Sequence, residues 1–357
     1  MTQDSWSTEP GASVGSHGGS SDWGIELKES NVFGTGRELS ILYDANPDRT
    51  RRGIQLHDPA FIRPYWDANF LYANNSDGVE SRLAIRRPFF SIATPWAVEL
   101  TVDDVEESQK LYAASRLSQQ FARDHSRIGA GFGFAIRRTE TTAQRLSFGV
   151  DWIRDAFGAI EASEPSEAGA TSVQALLPET REFHYAYAGY QFLENRWIKR
   201  QWVNRDLHVE DFNLGTELAA RVGVSPAAFG IEESSAFASV SLGRGVELAG
   251  DAFALGRLSA ESRFGYENRN AIAHAEGWVI RPLATRHPQT SIAHARVDFG
   301  SELDPDRQFF ADGETGLRGY RLHAFEGDRV AILNLEHRIF LGRELWHVLS
   351  PGAAAFV

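Results

Sequence analysis

The chain contains no cysteine among its 357 residues, which removes thiolate metal sites, disulfide scaffolds and cysteine nucleophiles from consideration. It has no excess of basic residues: 36 Lys and Arg face 48 Asp and Glu, a formal net charge of −12. Phosphate affinity needs clustered cations, so a nucleic-acid partner is excluded. No apolar run approaches the roughly 18 residues of a spanning helix. A β-barrel escapes that criterion, and the mean hydropathy of −0.32 as well, because lipid-facing and lumen-facing residues alternate and cancel. The opening "MTQDSWSTEPGASVGSHGGSSD" lacks the basic start and apolar stretch of a signal peptide, so the chain reads as cytoplasmic or as a fragment. No 20-to-50-residue repeat is visible, which argues against a propeller. The length suits two ordinary domains or one large β-architecture.

What the sequence does contain is alternation with period 2, the signature of strands with two unlike faces. In "RLSFGVDW", Leu146, Phe148, Val150 and Trp152 oppose Arg145, Ser147, Gly149 and Asp151. In "RIGAGFGFAI", Ile128, Ala130, Phe132, Phe134 and Ile136 oppose Gly129, Gly131, Gly133 and Ala135. In "LGTELAARVGV", Leu214, Leu218, Ala220, Val222 and Val224 stand against Glu217 and Arg221. In "SIAHARVDFG", Ala293, Ala295, Val297 and Phe299 oppose His294, Arg296 and Asp298. In "RVAILNLEHRIFL", Ala331, Leu333, Leu335, Ile339 and Leu341 oppose Asn334, Glu336 and Arg338. Similar segments start near Trp23, Leu39, Trp66, Leu83, Trp96, Val240 and Leu258, punctuated by the turns "FGTG", "NPD" and "NSDG". The stretch from Ala156 to Thr180 reads as a loop, and that from Asp103 to Ser126 as either a helix or a long hairpin.

A soluble β-sandwich also alternates. Two features favour a membrane barrel. The polar faces mix Arg, Asp, Glu and His with many glycines, as a crowded lumen does, and Trp and Tyr recur near strand ends (Trp23, Tyr43, Tyr65, Trp66, Trp96, Trp152, Trp278) where interface girdles place them. "GAGFG" at Gly129 to Gly133 lies inside a strand without the helix that a nucleotide loop needs, and "GTGRELS" lacks the P-loop lysine and serine pair. "HVEDF", with His208, Glu210 and Asp211, reads as a polar strand end rather than a metal site. There is no G-x-S-x-G elbow; the sequence offers no catalytic constellation, no cofactor site and no metal site, so an enzyme is not expected.

"GETGLRGYRLHAFEGD", Gly313 to Asp328, sets one arginine among glycines. Glycine permits tight or positive-φ turns, so this is a shaped loop, and a shaped loop with a single forked cation points to a fixed partner for Arg318. "GLRGY" followed by "GDRVAILNLEHRIF" resembles the bacterial surface antigen superfamily, the BamA/TamA-like outer-membrane barrels. "ESNVFGTGRELSI", "DANFLYANNSDG" and "RLAIRRPFFS" look like that family's early hairpins. The resemblance implies an all-β fold, an antiparallel transmembrane barrel of sixteen strands with eleven before the loop. It implies that Leu317, Arg318, Gly319 and Tyr320 form a loop motif folded back into the lumen. Glu336 is then the inner-face partner on the following strand, with Asn334 and Arg338 beside it, and an aspartate just downstream of Phe356 and Val357 would be a second partner. The strands counted here exceed eleven. On this reading residues 1–357 are a single barrel domain, a fragment without recognisable POTRA modules that stops before the last strands. The implied function is insertion or translocation of other proteins in the bacterial outer membrane, with lipid, unfolded or translocating protein substrates, and periplasmic or lipoprotein partners. A two-partner secretion pore of the same superfamily and a soluble β-rich binding protein are the alternatives.

Overall fold

The structure is a computed structural model that describes residues 7–17, 19–159, 177–265, 269–283, 285–344 and 350–357. Its strands are β1 (Thr8–His17), β2 (Ser20–Val32), β3 (Arg37–Ala45), β4 (Thr50–Asp58), β5 (Asp67–Asn75), β6 (Gly78–Arg87) and β7 (Trp96–Ala113). Then come β8 (Arg116–Arg138), β9 (Thr142–Gly158), β10 (Arg181–Glu194), β11 (Trp197–Gln201), β12 (Val209–Asn213), β13 (Glu217–Ser225) and β14 (Ser235–Glu247). The last are β15 (Phe253–Phe264), β16 (Ala271–Leu283), β17 (Gln289–Ser301), β18 (Phe309–Ala311), β19 (Phe325–Gly327), β20 (Arg329–Phe340) and β21 (Gly352–Phe356). All but four form one 17-stranded antiparallel meander, in which each strand pairs with its neighbour in the chain; β11–β12 and β18–β19 are separate hairpins inserted after β10 and β17.

The wall is curled. Tyr112 on β7 and Gln308 in the β17–β20 connection exchange two hydrogen bonds of 2.9 Å, although their strands lie eight positions apart in the sheet. In a flat sheet, at about 4.8 Å per strand, those groups would be nearly 40 Å apart. The terminal strands β1 and β21 share no pairing among the described residues, so the sheet is not closed. Ser16 and Phe356 nevertheless line one internal cavity. Where the resemblance implied sixteen strands with eleven before Arg318, the sheet has seventeen among the described residues, and fifteen of them (β1–β10 and β13–β17) precede that residue. The first strand is β1, one hairpin ahead of the segment near Trp23.

The two faces of the wall are inverted relative to a water-soluble sandwich. Leu100, Phe132, Phe148, Val240, Leu258 and Leu333 point away from the interior and are 41–65% exposed. They form a continuous belt: Phe148 sits opposite Phe132 and Ala188, Leu258 opposite Leu242 and Ala275, Val297 opposite Ala275 and Ala331. On the inner face, Glu80, Arg145, Asp151, Asp155, Arg181 and Asp298 are only 5–8% exposed. Buried charges persist only when paired. Arg127 accordingly donates to Asp151 at 2.7 Å, Arg123 to Asp155 at 2.7 Å, and Arg296 to Asp298 at 2.7 Å.

Residues 103–126, open between helix and hairpin in the sequence, are the upper halves of β7 and β8, joined by Ala114 and Ser115 at φ 50° and 62°. "GAGFG" is the middle of β8. Its glycines leave room for Tyr187 of β10 to lie across the inner face, since a Cβ at Gly131 would come within 2.7 Å of the Tyr187 hydroxyl. Of the stretch read as a loop from Ala156 to Thr180, residues 156–158 extend β9 and residues 160–176 lie outside the described residues. Leu214 departs from its expected place. It precedes β13 and is buried, 1% exposed, because a Cβ at Gly215 would run into the Glu194 carbonyl and the chain turns there. Leu214 instead joins Ile198, Val203, Phe253 and Ile280 in a small apolar core beneath the β11–β12 hairpin.

Candidate functional site: the inward loop between β17 and β20

Residues 302–328 cross the end of the wall that also carries the Ala114–Ser115 turn, here called the upper end. Asp304 and Asp306 tie the loop's start to the wall: Arg181 donates to both Asp306 oxygens at 2.7 and 2.9 Å, and Arg263 to Asp304 at 2.5 Å. A second tether is aromatic. His323 stacks on Tyr112 with ring centroids 3.6 Å apart, and both reach Asp48 in the β3–β4 turn, His323 at 3.1 Å and the Tyr112 hydroxyl at 2.7 Å. Ala114 donates its backbone N–H to Glu326 at 2.9 Å.

Between these tethers the loop is folded around Asp312, which is 4% exposed. Its Oδ1 accepts the N–H groups of Glu314 (3.1 Å) and Thr315 (3.0 Å), and its Oδ2 accepts that of His323 (2.8 Å). Its carbonyl accepts from Gly316 and Leu317 at 3.1 and 2.7 Å. Gly316 (φ 129°) and Gly319 (φ 93°) occupy backbone conformations that side-chain-bearing residues rarely adopt, and Gly316 packs against Asn334 and Ile332 of β20. This is the shape that the glycine pattern anticipated; Asp312, its organiser, carries no sequence signal beyond its type.

The tip delivers Arg318 to the inner face of β20. Arg318 Nη1 lies 3.1 Å from Glu336 Oε2, and its guanidinium carbon stands 4.8 Å from the centre of the Phe356 ring on β21. Glu336 also binds Arg338, whose Nε donates to Oε1 at 2.6 Å. Arg338 Nη1 donates in turn to the Val203 carbonyl at 2.8 Å and to Asn204 Oδ1 at 3.0 Å, both in the β11–β12 hairpin at the lower end. One polar chain therefore joins the upper loop to the lower hairpin along β20. Arg318, Asn334, Glu336 and Arg338 are brought together around a cavity of about 930 Å³, capped above by residues 313–319 and bounded below by Asn204 and Asn213. Arg318 lines that cavity with its side chain 48% exposed, so it is held by its partner without being buried. Leu317 is half-buried, Gly319 faces open space, and Tyr320 lies outside the cluster, exposed and tilted against Phe325 at 5.5 Å.

Outside this region, Glu210 is engaged by the Asn204 backbone N–H (2.8 Å) and side-chain amide (3.0 Å). Among the described residues no group of three or more His, Asp or Glu is arranged to hold a metal ion.

No protein-family model matches the chain, and no curated protein matches it. Among solved structures it is similar to BamA from Haemophilus ducreyi lacking POTRA domains 1–3. That match has 9% sequence identity and a TM-score of 0.43, and covers 99% of this chain and 68% of that one. At that level of similarity no residue role is transferred.

Proposed function

We propose that the chain is an outer-membrane β-barrel domain of the protein assembly and translocation superfamily, helping other proteins insert into or cross that membrane. The observation that carries the membrane reading is the inversion of the two faces: apolar side chains line the outside of the wall and paired charges line the inside. In water such a continuous apolar belt far exceeds the few hundred Å² that soluble monomers expose.

The assembly role is supported by the Leu317–Tyr320 motif and by the reach of Arg318 to Glu336. No catalytic step is assigned to the chain; lipid and unfolded protein are its partners. A secretion pore of the same superfamily is the second reading, favoured by the polar inner face and the cavity between loop and hairpin.

The test is to reconstitute the protein in lipid vesicles and follow the folding of an added, urea-unfolded outer-membrane barrel. Faster folding than in empty vesicles supports the assembly role. Unchanged folding together with passage of an unfolded polypeptide into the vesicle supports the pore, and neither effect contradicts both.

A further inference from the structure

At the lower end of the wall, the outer rim carries two cations. Arg51, Arg123, Arg127, Arg181 and Arg263, all on the inner face, each hold a carboxylate. Among the described residues, Arg63 in the β4–β5 loop and Arg87 on the outward face at the end of β6 have no carboxylate partner.

Arg87 is nonetheless held in place. Its guanidinium carbon lies 3.8 Å from the centre of the Trp96 ring and 5.5 Å from that of Phe90, and Nη1 donates to the Trp96 carbonyl. The rings are fixed in turn: Tyr65 stacks on Phe90 at 4.1 Å, and Trp66 meets Trp96 edge-on at 6.4 Å. Around these cations the loop tips expose large apolar side chains, Phe61 (46%), Ile62 (60%), Tyr65 (59%) and Phe90 (47%).

Trp96 shares the outward face of β7 with Leu100, so this cluster continues the apolar belt directly. Exposed aromatics and unpaired guanidiniums at the margin of a hydrocarbon-facing belt match the headgroup layer, where rings sit half-wet and a cation meets phosphate. A guanidinium is suited to that task because its planar fork bonds two phosphate oxygens at once.

We propose that Arg63 and Arg87, with the Tyr65–Phe90 and Trp66–Trp96 pairs, form a binding site for the phosphodiester headgroup of an anionic phospholipid. The site fixes the depth and tilt of the β4–β7 side of the wall. This inference rests on the membrane reading above, and the experiment separates the two.

The protein is reconstituted with vesicles of dioleoylphosphatidylcholine, alone or mixed with dioleoylphosphatidylglycerol, and floated. It is then re-extracted in mild detergent, and the retained lipid is measured by mass spectrometry. Wild type should float with both vesicles and retain phosphatidylglycerol preferentially. Arg63→Gln, a loop change that breaks no intramolecular side-chain hydrogen bond or ion pair, should reduce that preference about fivefold, in line with the contribution of one basic residue near an anionic surface. The double variant Arg63→Gln/Arg87→Gln should approach parity while still floating, and Arg87→Lys should restore only part of the preference, because an ammonium keeps the charge but not the planar fork. A double variant with wild-type preference overturns the site, as does a wild type that floats but shows no preference. Displacement of phosphatidylglycerol by inorganic phosphate at matched concentration also overturns it, since the site would then read a free anion. A wild type that floats with neither vesicle overturns the membrane reading and this inference together.

Discussion

Glu336 serves two guanidiniums, Arg318 at 3.1 Å and Arg338 at 2.6 Å, and this asymmetry orders the substitutions at the site. Arg318 is half-exposed, so its ion pair is screened and its loss should cost the fold no more than about 1 kcal/mol. Arg318→Ala should therefore release the loop tip and impair the proposed assisted-folding activity while leaving the unfolding midpoint of the wall almost unchanged. Arg318→Lys should rescue poorly, because an ammonium cannot repeat a planar fork and stacks less well on Phe356. Glu336→Ala also takes the carboxylate from Arg338 and leaves it only its neutral acceptors on Val203 and Asn204, a cost of about 1 kcal/mol, so it should be the more destabilising change. Adding Arg318→Ala to Glu336→Ala should then cost little more in activity, and additive losses would show that the two side chains do not act through their contact. Much of this cluster is legible in the sequence. Period 2 puts Asn334, Glu336 and Arg338 on one face, and glycines flag a shaped loop around Arg318. Asp312, Asp304 and Asp306 are not legible, because their partners are backbone groups or arginines contributed by β10 and β15, far away in the chain.

Among the elements, the hairpins show where local pattern suffices and where it fails. The β5–β6 turn at Ser76 and Asp77 follows from "NSDG", because Gly78 adopts φ 157° and a Cβ there would meet the Glu106 carbonyl. The β7–β8 turn gives no such cue. Ala114 and Ser115 both take positive φ, as a two-residue hairpin requires, without the usual Asn or Gly. The charged composition of residues 103–126 reads equally well as helix because these strand ends extend past the apolar belt, and their outward positions turn polar at Asp104, Glu106 and Ser126. Ala114→Gly should relieve the strained backbone and raise stability by roughly 1 kcal/mol, read as a shift in the denaturant midpoint in detergent. The β11–β12 hairpin was the least visible element. Its five-residue strands are too short for a periodic signal, and it is held in place by the buried Val203 and Leu214 and by the Arg338 bonds to Val203 and Asn204. It covers the lower side of the cavity, so replacing residues 196–213 with a short Gly-Ser turn should raise single-channel conductance in planar bilayers. Unchanged conductance would show that the hairpin does not obstruct the lumen.

For the molecule as a whole, the decisive property is which face meets which medium. Alternation alone cannot settle this, since a sandwich and a barrel wall alternate alike. The structure adds the exposure: Phe148 and Leu335 are each 48% accessible on the outside, while Asp151 is 5% accessible within. Phe148 lies in the middle of the belt on β9, between Leu146 and Trp152. Placing Arg at Phe148 should destabilise the lipid-folded state by about 2–4 kcal/mol, the cost of a cation near the bilayer midplane, and by much less in a detergent micelle. The chain's lack of cysteine makes a direct reading possible, because each introduced thiol is the only one present. Single cysteines placed from Leu146 to Trp152 and reacted in vesicles with a bilayer-confined maleimide should label at Leu146, Phe148, Val150 and Trp152, and stay unreactive at Ser147, Gly149 and Asp151. Equal labelling at consecutive positions, or stronger labelling at Ser147, Gly149 and Asp151, would contradict the account.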